Sequence, residues 1–160
     1  GGLKMLFQRI NRTDAEKVFI ILRNDGANAW AKGGPVVLKA DGTRDGIDAV
    51  KPSDGAIANT SLLVGVADVA TAAGEYGLVQ CYGLRTDTRV RQCGTVTNAN
   101  GAMGEGMIIS SAGDMFSAAS SGAVLSAVQY GVIALSTVAS SAATSDATAA
   151  VERSCFLRLM

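Results

Sequence analysis

Apolar residues along this chain come in short runs, four to nine residues long, broken by glycine and by Asn/Asp turns. The first is Val18-Phe19-Ile20-Ile21-Leu22, apolar on both faces of an extended chain, which predicts a central, buried strand. Asn24-Asp25-Gly26 ends it as a turn. Lys32-Gly33-Gly34-Pro35 punctuates next, and Pro35 opens a strand over residues 36–40, at the one strand position proline tolerates well. Asp41-Gly42 and Asp45-Gly46 mark further turns, so residues 43–60 are expected to form an irregular surface loop.

Further strands are predicted over residues 62–67 and 77–84, with residues 85–91 either extending the latter or pairing with it. Residues 68–74 suit one helical turn closed by Gly74. Residues 98–106 form a glycine-rich loop before an apolar run at 107–110. Val124, Leu125 and Val128 have helical spacing within 117–129, a short helix at most. Residues 130–138 suit a strand, and 139–149, nearly all Ala, Ser and Thr, a loop or soft helix. The last strand, 151–160, puts Val151, Cys155, Leu157 and Leu159 on one face. Seven or eight short strands with glycine turns define a mainly β class, a small β-barrel or sandwich-like domain over 15–160. Residues 1–14 stand apart as an N-terminal arm, with Leu3, Met5, Leu6, Phe7 and Ile10 interleaved with basic residues and no clean period. Apolar residues there must be covered, either by the chain's own domain or by a neighbouring protein.

Composition sharpens this. Nineteen glycines in 160 residues exceed the usual share of about 7% and favour tight turns. Charged residues are 18% of the chain, against roughly 25% in ordinary domains, so less of the surface is guarded by charge. Fourteen basic and fourteen acidic residues cancel, leaving no electrostatic footprint for nucleic acid or anionic membrane. The apolar runs are well under the ~18 residues a membrane span needs, and no signal-peptide pattern opens the chain. Cys81, Cys93 and Cys155 are scattered, with no CxxC, so a disulfide framework or zinc site is not expected and synthesis in a reducing cytoplasm is. Cys81 and Cys155 lie in apolar strands, where a free thiol packs as a small hydrophobe.

The residues argue against catalysis. There is no histidine, which removes the commonest general base and metal ligand together. No Ser-x-x-Lys spacing occurs to replace it. Asp41-x-Thr43-x-Asp45-Gly46 begins like a calcium loop, but Pro52 stands where a bidentate glutamate belongs, so paired turns explain it better. Gly101-Ala102-Met103-Gly104-Glu105-Gly106 has neither a phosphate-loop lysine nor dinucleotide-binding glycine order. No enzyme, cofactor, metal or small-molecule substrate is expected. Two features could serve binding instead. If residues 84–92 are extended, Arg85, Asp87, Arg89 and Arg91 share one face, either as a solvated or charge-protected edge or as a basic strip for a carboxylate-rich partner. Trp30, the single tryptophan, can plug its own core or anchor an interface.

The run Val18-Phe19-Ile20-Ile21-Leu22-Arg23-Asn24, followed by Lys32-Gly33-Gly34-Pro35-Val36-Val37-Leu38, resembles the opening of capsid decoration (cement) proteins of tailed double-stranded DNA bacteriophages. Leu63-Val64-Gly65-Val66-Ala67 with 73–84, and Gly131-Val132-Ile133-Ala134-Leu135 with 155–160, are similar to their middle and end. The resemblance covers about residues 16–160 and implies a β-tulip domain, usually a homotrimer. It would bind the major capsid protein on the outer surface of the virion after synthesis in the bacterial host cytoplasm, with an N-terminal arm reaching over the shell. The rival expectation is a tail or baseplate β-module binding a receptor glycan.

Overall fold

In the computed structural model the described residues are 16–52, 62–91, 106–109, 115–118, 131–135 and 150–159. They hold nine strands: β1 (Lys17–Asn24), β2 (Pro35–Leu38), β3 (Asp48–Val50), β4 (Leu63–Ala67), β5 (Tyr76–Arg91), β6 (Met107–Ile109), β7 (Phe116–Ala118), β8 (Val132–Ala134) and β9 (Ala150–Arg158). No α-helix occurs among the described residues, so the mainly β class holds.

All nine strands join one sheet, whose main path runs β1-β3-β2-β4-β5-β7-β6, with β9 joining β5 to β8. Strand β5 organises it. This strand runs sixteen residues and pairs antiparallel with β1, β4 and β9 and parallel with β7. Because β5 meets β1 as well as β4, the path turns back on itself in a barrel-like ring. The link through β1 and β3 is parallel and only two residue pairs long, so the ring is not clearly closed.

Two apolar clusters fill the interior. Val37, Val66, Val90, Phe116, Val132, Cys155 and Leu157 belong to one; Leu22, Trp30, Val36, Ala49, Ala67 and Val79 belong to the other. Strand β5 contributes Val79 to one and Val90 to the other. Between them the strand changes which side it turns inward, at Gly83 (φ 100°) and at a bulge where Arg85 and Thr88 pair with Cys155 and Arg153. Tyr82 and Phe156 close the same region edge to face, with centroids 5.4 Å apart.

The strand that opens at Pro35, the closing strand with Cys155 and Leu157 inward, and the continuation of residues 85–91 within β5 all match their sequence patterns. Three expectations do not. Residues 48–50, assigned to a surface loop, form the buried strand β3; three residues are too few to show a period, and their burial comes from pairing with β1 and β2. Residues 68–74 turn without a helix, because Trp30 and Thr71 exchange backbone hydrogen bonds of 2.9 and 3.2 Å across the two loops. Strand β1 is not buried on both faces: Leu22 is enclosed while Ile21 is 66% exposed. The 117–129 helix, the 139–149 loop, the glycine-rich 98–105 segment and Cys93 lie outside the described residues, apart from residues 117–118, which are strand.

Candidate functional site

Side chains alternate along β1, so Ile20 and Leu22 pack on the inner cluster while Phe19 and Ile21 face away from it. The antiparallel register places Ile21 directly opposite Leu78, and Arg23 opposite Tyr76. Phe19, Ile21, Leu78 and Tyr76 are 39, 66, 42 and 59% exposed, and together they form an apolar strip across the outer face of the β1–β5 pair. Opposed aliphatic and aromatic pairs stabilise a sheet, and here they leave contiguous apolar surface open to solvent.

The strip has a rigid frame. Buried Asn24, at the end of β1, donates from Nδ2 to the carbonyls of Asn28 and Thr71, both at 3.0 Å, and accepts from the Gly26 N–H at 3.1 Å. Every polar atom of that amide therefore holds a loop in place. Beside it Arg23 lies 2.7 Å from Asp25 and 3.4 Å from Asp48, and Lys39 binds both Asp25 (2.5 Å) and Asp41 (2.9 Å). The Lys39 ammonium holds the Asp25 and Asp41 carboxyls below their ordinary range, and those carboxylates raise Lys39 in turn.

The residues singled out from the sequence do not converge. Leu3, Met5, Leu6, Phe7 and Ile10 lie outside the described residues. Trp30 is 2% exposed inside the second cluster, a core plug and not a surface anchor. The basic strip does not form, because the bulge between Arg85 and Thr88 shifts the alternation. Arg85, Thr88 and Val90 are consequently buried while Thr86 is exposed. Arg85 is 2% exposed, with Nη1 3.0 Å from Asp68 and Nε 2.9 Å from Asp87, itself 2.9 Å from Lys32. Burial pushes the Asp87 carboxyl up, but Lys32 and Arg85 outweigh it and hold it below the usual value. Arg89 is half-buried and donates its backbone N–H to Gly33 at 2.8 Å. Arg91 ends β5 opposite Ala150.

Sequence reasoning therefore missed Phe19, Ile21, Tyr76 and Leu78. The signal was present: a run apolar on both faces also fits a strand whose second face meets another molecule.

Burial raises the Cys81 thiol and drives Cys155 up to about 11, the reverse of what an attacking thiolate needs. Among the described residues no group of three or more Cys, Asp or Glu side chains could hold a metal ion. The Asp41–Asp45 segment behaves as turns, with Thr43 N–H donating to Asp41 (3.0 Å) and Gly42 N–H to Asp45 (2.9 Å). No helix among the described residues is long and apolar enough to cross a membrane. Comparison with protein-family models, curated proteins and solved structures finds no match.

Proposed function

We propose that this protein is a structural virion component, a decoration protein that binds the major capsid protein on the outer surface of an assembled phage shell and associates with its own copies as a homotrimer. The supporting observation is the outward apolar strip of Phe19, Ile21, Leu78 and Tyr76. Half of it lies on β1, the strand that follows the apolar residues Leu3, Met5, Leu6, Phe7 and Ile10 in the sequence. Covering an aliphatic side chain is worth about 1.5–3 kcal/mol, so one strip gives a modest footprint. Three footprints on a trimer engage as one, converting modest contacts into durable attachment without a cofactor or a catalytic group. A sugar-binding tail module fits less well, since Phe19 and Tyr76 are not opposed: their cross-strand partners are Gln80 and Arg23.

The test uses purified protein mixed with expanded shells of its source particle, followed by sedimentation. The native chain should pellet at a fixed, saturating copy number per shell subunit. The double variant Ile21→Lys/Leu78→Lys, and a chain lacking residues 1–13, should fold yet stay in the supernatant. Full occupancy by both variants would sink the proposal.

A further inference from the structure

Arg85 forms part of the wall of a cavity of about 480 Å³ lined also by Lys17, Lys32, Asp68, Gln80 and Asp87. Its guanidinium is incompletely satisfied. Nη1 donates to Asp68 Oδ1 at 3.0 Å and reaches Gln80 Oε1 at 3.4 Å. The Gln80 amide is oriented for this, because its Nε2 is committed to the carbonyls of Tyr82 (3.1 Å) and Leu84 (3.2 Å). Nε and Nη2 are buried and have no hydrogen-bond acceptor among the described residues. Asp87 Oδ1 approaches Nε to 2.9 Å as an ion-pair partner, but not along its N–H. Buried donors are nearly always satisfied, so two left over on one guanidinium point to an acceptor from outside the described residues. These two are also not arbitrary: Nε–H and one Nη2–H lie parallel and form the side-on fork, whose spacing matches the two oxygens of a carboxylate.

Charge narrows the choice of anion. Within the lining, Lys17, Lys32 and Arg85 face Asp68 and Asp87, three cations against two carboxylates, leaving one positive charge there, with the Glu152 carboxylate acting on Lys32 from outside it. A single carboxylate neutralises it, whereas a dianionic phosphate would overshoot beside two aspartates. We propose that this cavity is a carboxylate-binding site in which the Arg85 fork grips the anion and Lys17 attracts it at the mouth. The two fork nitrogens are themselves covered, so entry requires Asp87, 24% exposed, to leave Nε and swing out with Lys32, 58% exposed. The carboxylate comes from an aspartate or glutamate side chain of a partner protein or from a small free acid. The site does not depend on the capsid reading, and its test needs no capsid.

The whole ¹⁵N-labelled protein is titrated at constant ionic strength with acetate, with a short peptide carrying one glutamate, and with inorganic phosphate. The Arg85 Nε–H resonance reports the fork, and calorimetry gives affinities for variants. A saturable shift with acetate identifies a free acid as sufficient; a shift with the peptide alone identifies a side chain of a partner. Either supports the site. Arg85→Lys, which keeps the charge and loses the fork, should abolish the calorimetric signal. Lys17→Ala, an exposed change that leaves folding intact, should weaken binding about threefold. An Arg85 resonance that moves with neither carboxylate, phosphate binding tighter than acetate, or native affinity in both variants overturns the assignment.

Discussion

From Tyr76 to Leu84, strand β5 turns Leu78 and Tyr76 to the solvent; from Arg85 to Arg91, the same strand turns a guanidinium inward. Each half reverses the ordinary disposition of its residue type. The apolar half costs the isolated chain little, because an uncovered aliphatic side chain forgoes a gain without leaving a polar group unpaired. The charged half is expensive unless partnered, because an ion without neighbours in a protein interior loses its hydration. That difference accounts for the unequal scaffolding. Asp68, Asp87, Gln80 and Lys32 are gathered around Arg85, while nothing among the described residues covers Ile21.

The comparison can be broken first at the charged half. Arg85→Ala should cost about 3 kcal/mol in denaturant unfolding, since it empties the space of a buried side chain and takes a partner from Asp68 and Asp87, both partly exposed. An effect below about 0.5 kcal/mol would show that the network contributes nothing to the fold. The junction between the halves comes next. At Gly83, φ is 100° and an added Cβ would run into the Glu16 carbonyl, so Gly83→Ala should cost about 2 kcal/mol and shift both clusters. The apolar half should scarcely respond in stability. Ile21→Lys or Leu78→Lys should leave stability within about 0.5 kcal/mol of native while raising solubility. A large loss would mean that the strip is packed against the chain's own residues.

Smaller effects sharpen the contrast between interior and rim. Cys155, fully buried with its thiol raised to about 11, should resist iodoacetamide at pH 8 in peptide mapping until the chain unfolds. At the rim, the folded pKa values of Asp25 and Asp41 lie below the unfolded value of 3.8. Their contribution is therefore present above pH 3.8 and lost as pH falls through the lower folded values. Lys39, raised above 10.5, contributes fully below that pH and loses its contribution as pH rises through its folded value. Thermal unfolding should therefore be flat between these limits as far as this cluster is concerned, and Lys39→Met should reduce the acid-side loss.

The strands were legible where alternation or glycine punctuation ran for five residues or more, as in β4, β5 and β9. Strand β3 was not, because residues 48–50 acquire strand character only from their neighbours. The bulge was invisible for a similar reason: nothing in Arg85-Thr86-Asp87-Thr88 announces which residue is skipped, yet that choice decides whether Arg85 faces water or the core. Trp30 needed the Thr71 bridge to be placed. The apolar strip was half legible, since the run was seen but both its faces were assigned to one core.

Tyr82 has Val18 across from it on one side and Arg158 on the other. The central strand thus cannot gain its neighbours until segments near opposite ends of this sequence have met. Loop closure on that scale is an entropic toll taken before any pairing reward. Refolding from denaturant should accordingly be slow, in milliseconds to seconds, and changes in β9 such as Leu157→Ala should chiefly accelerate unfolding if that strand docks last. A newly made chain would meanwhile hold Ile21 and Leu78 exposed before its own edges are paired. The surface that stays apolar in the folded protein would then be most open to misassociation while the chain folds.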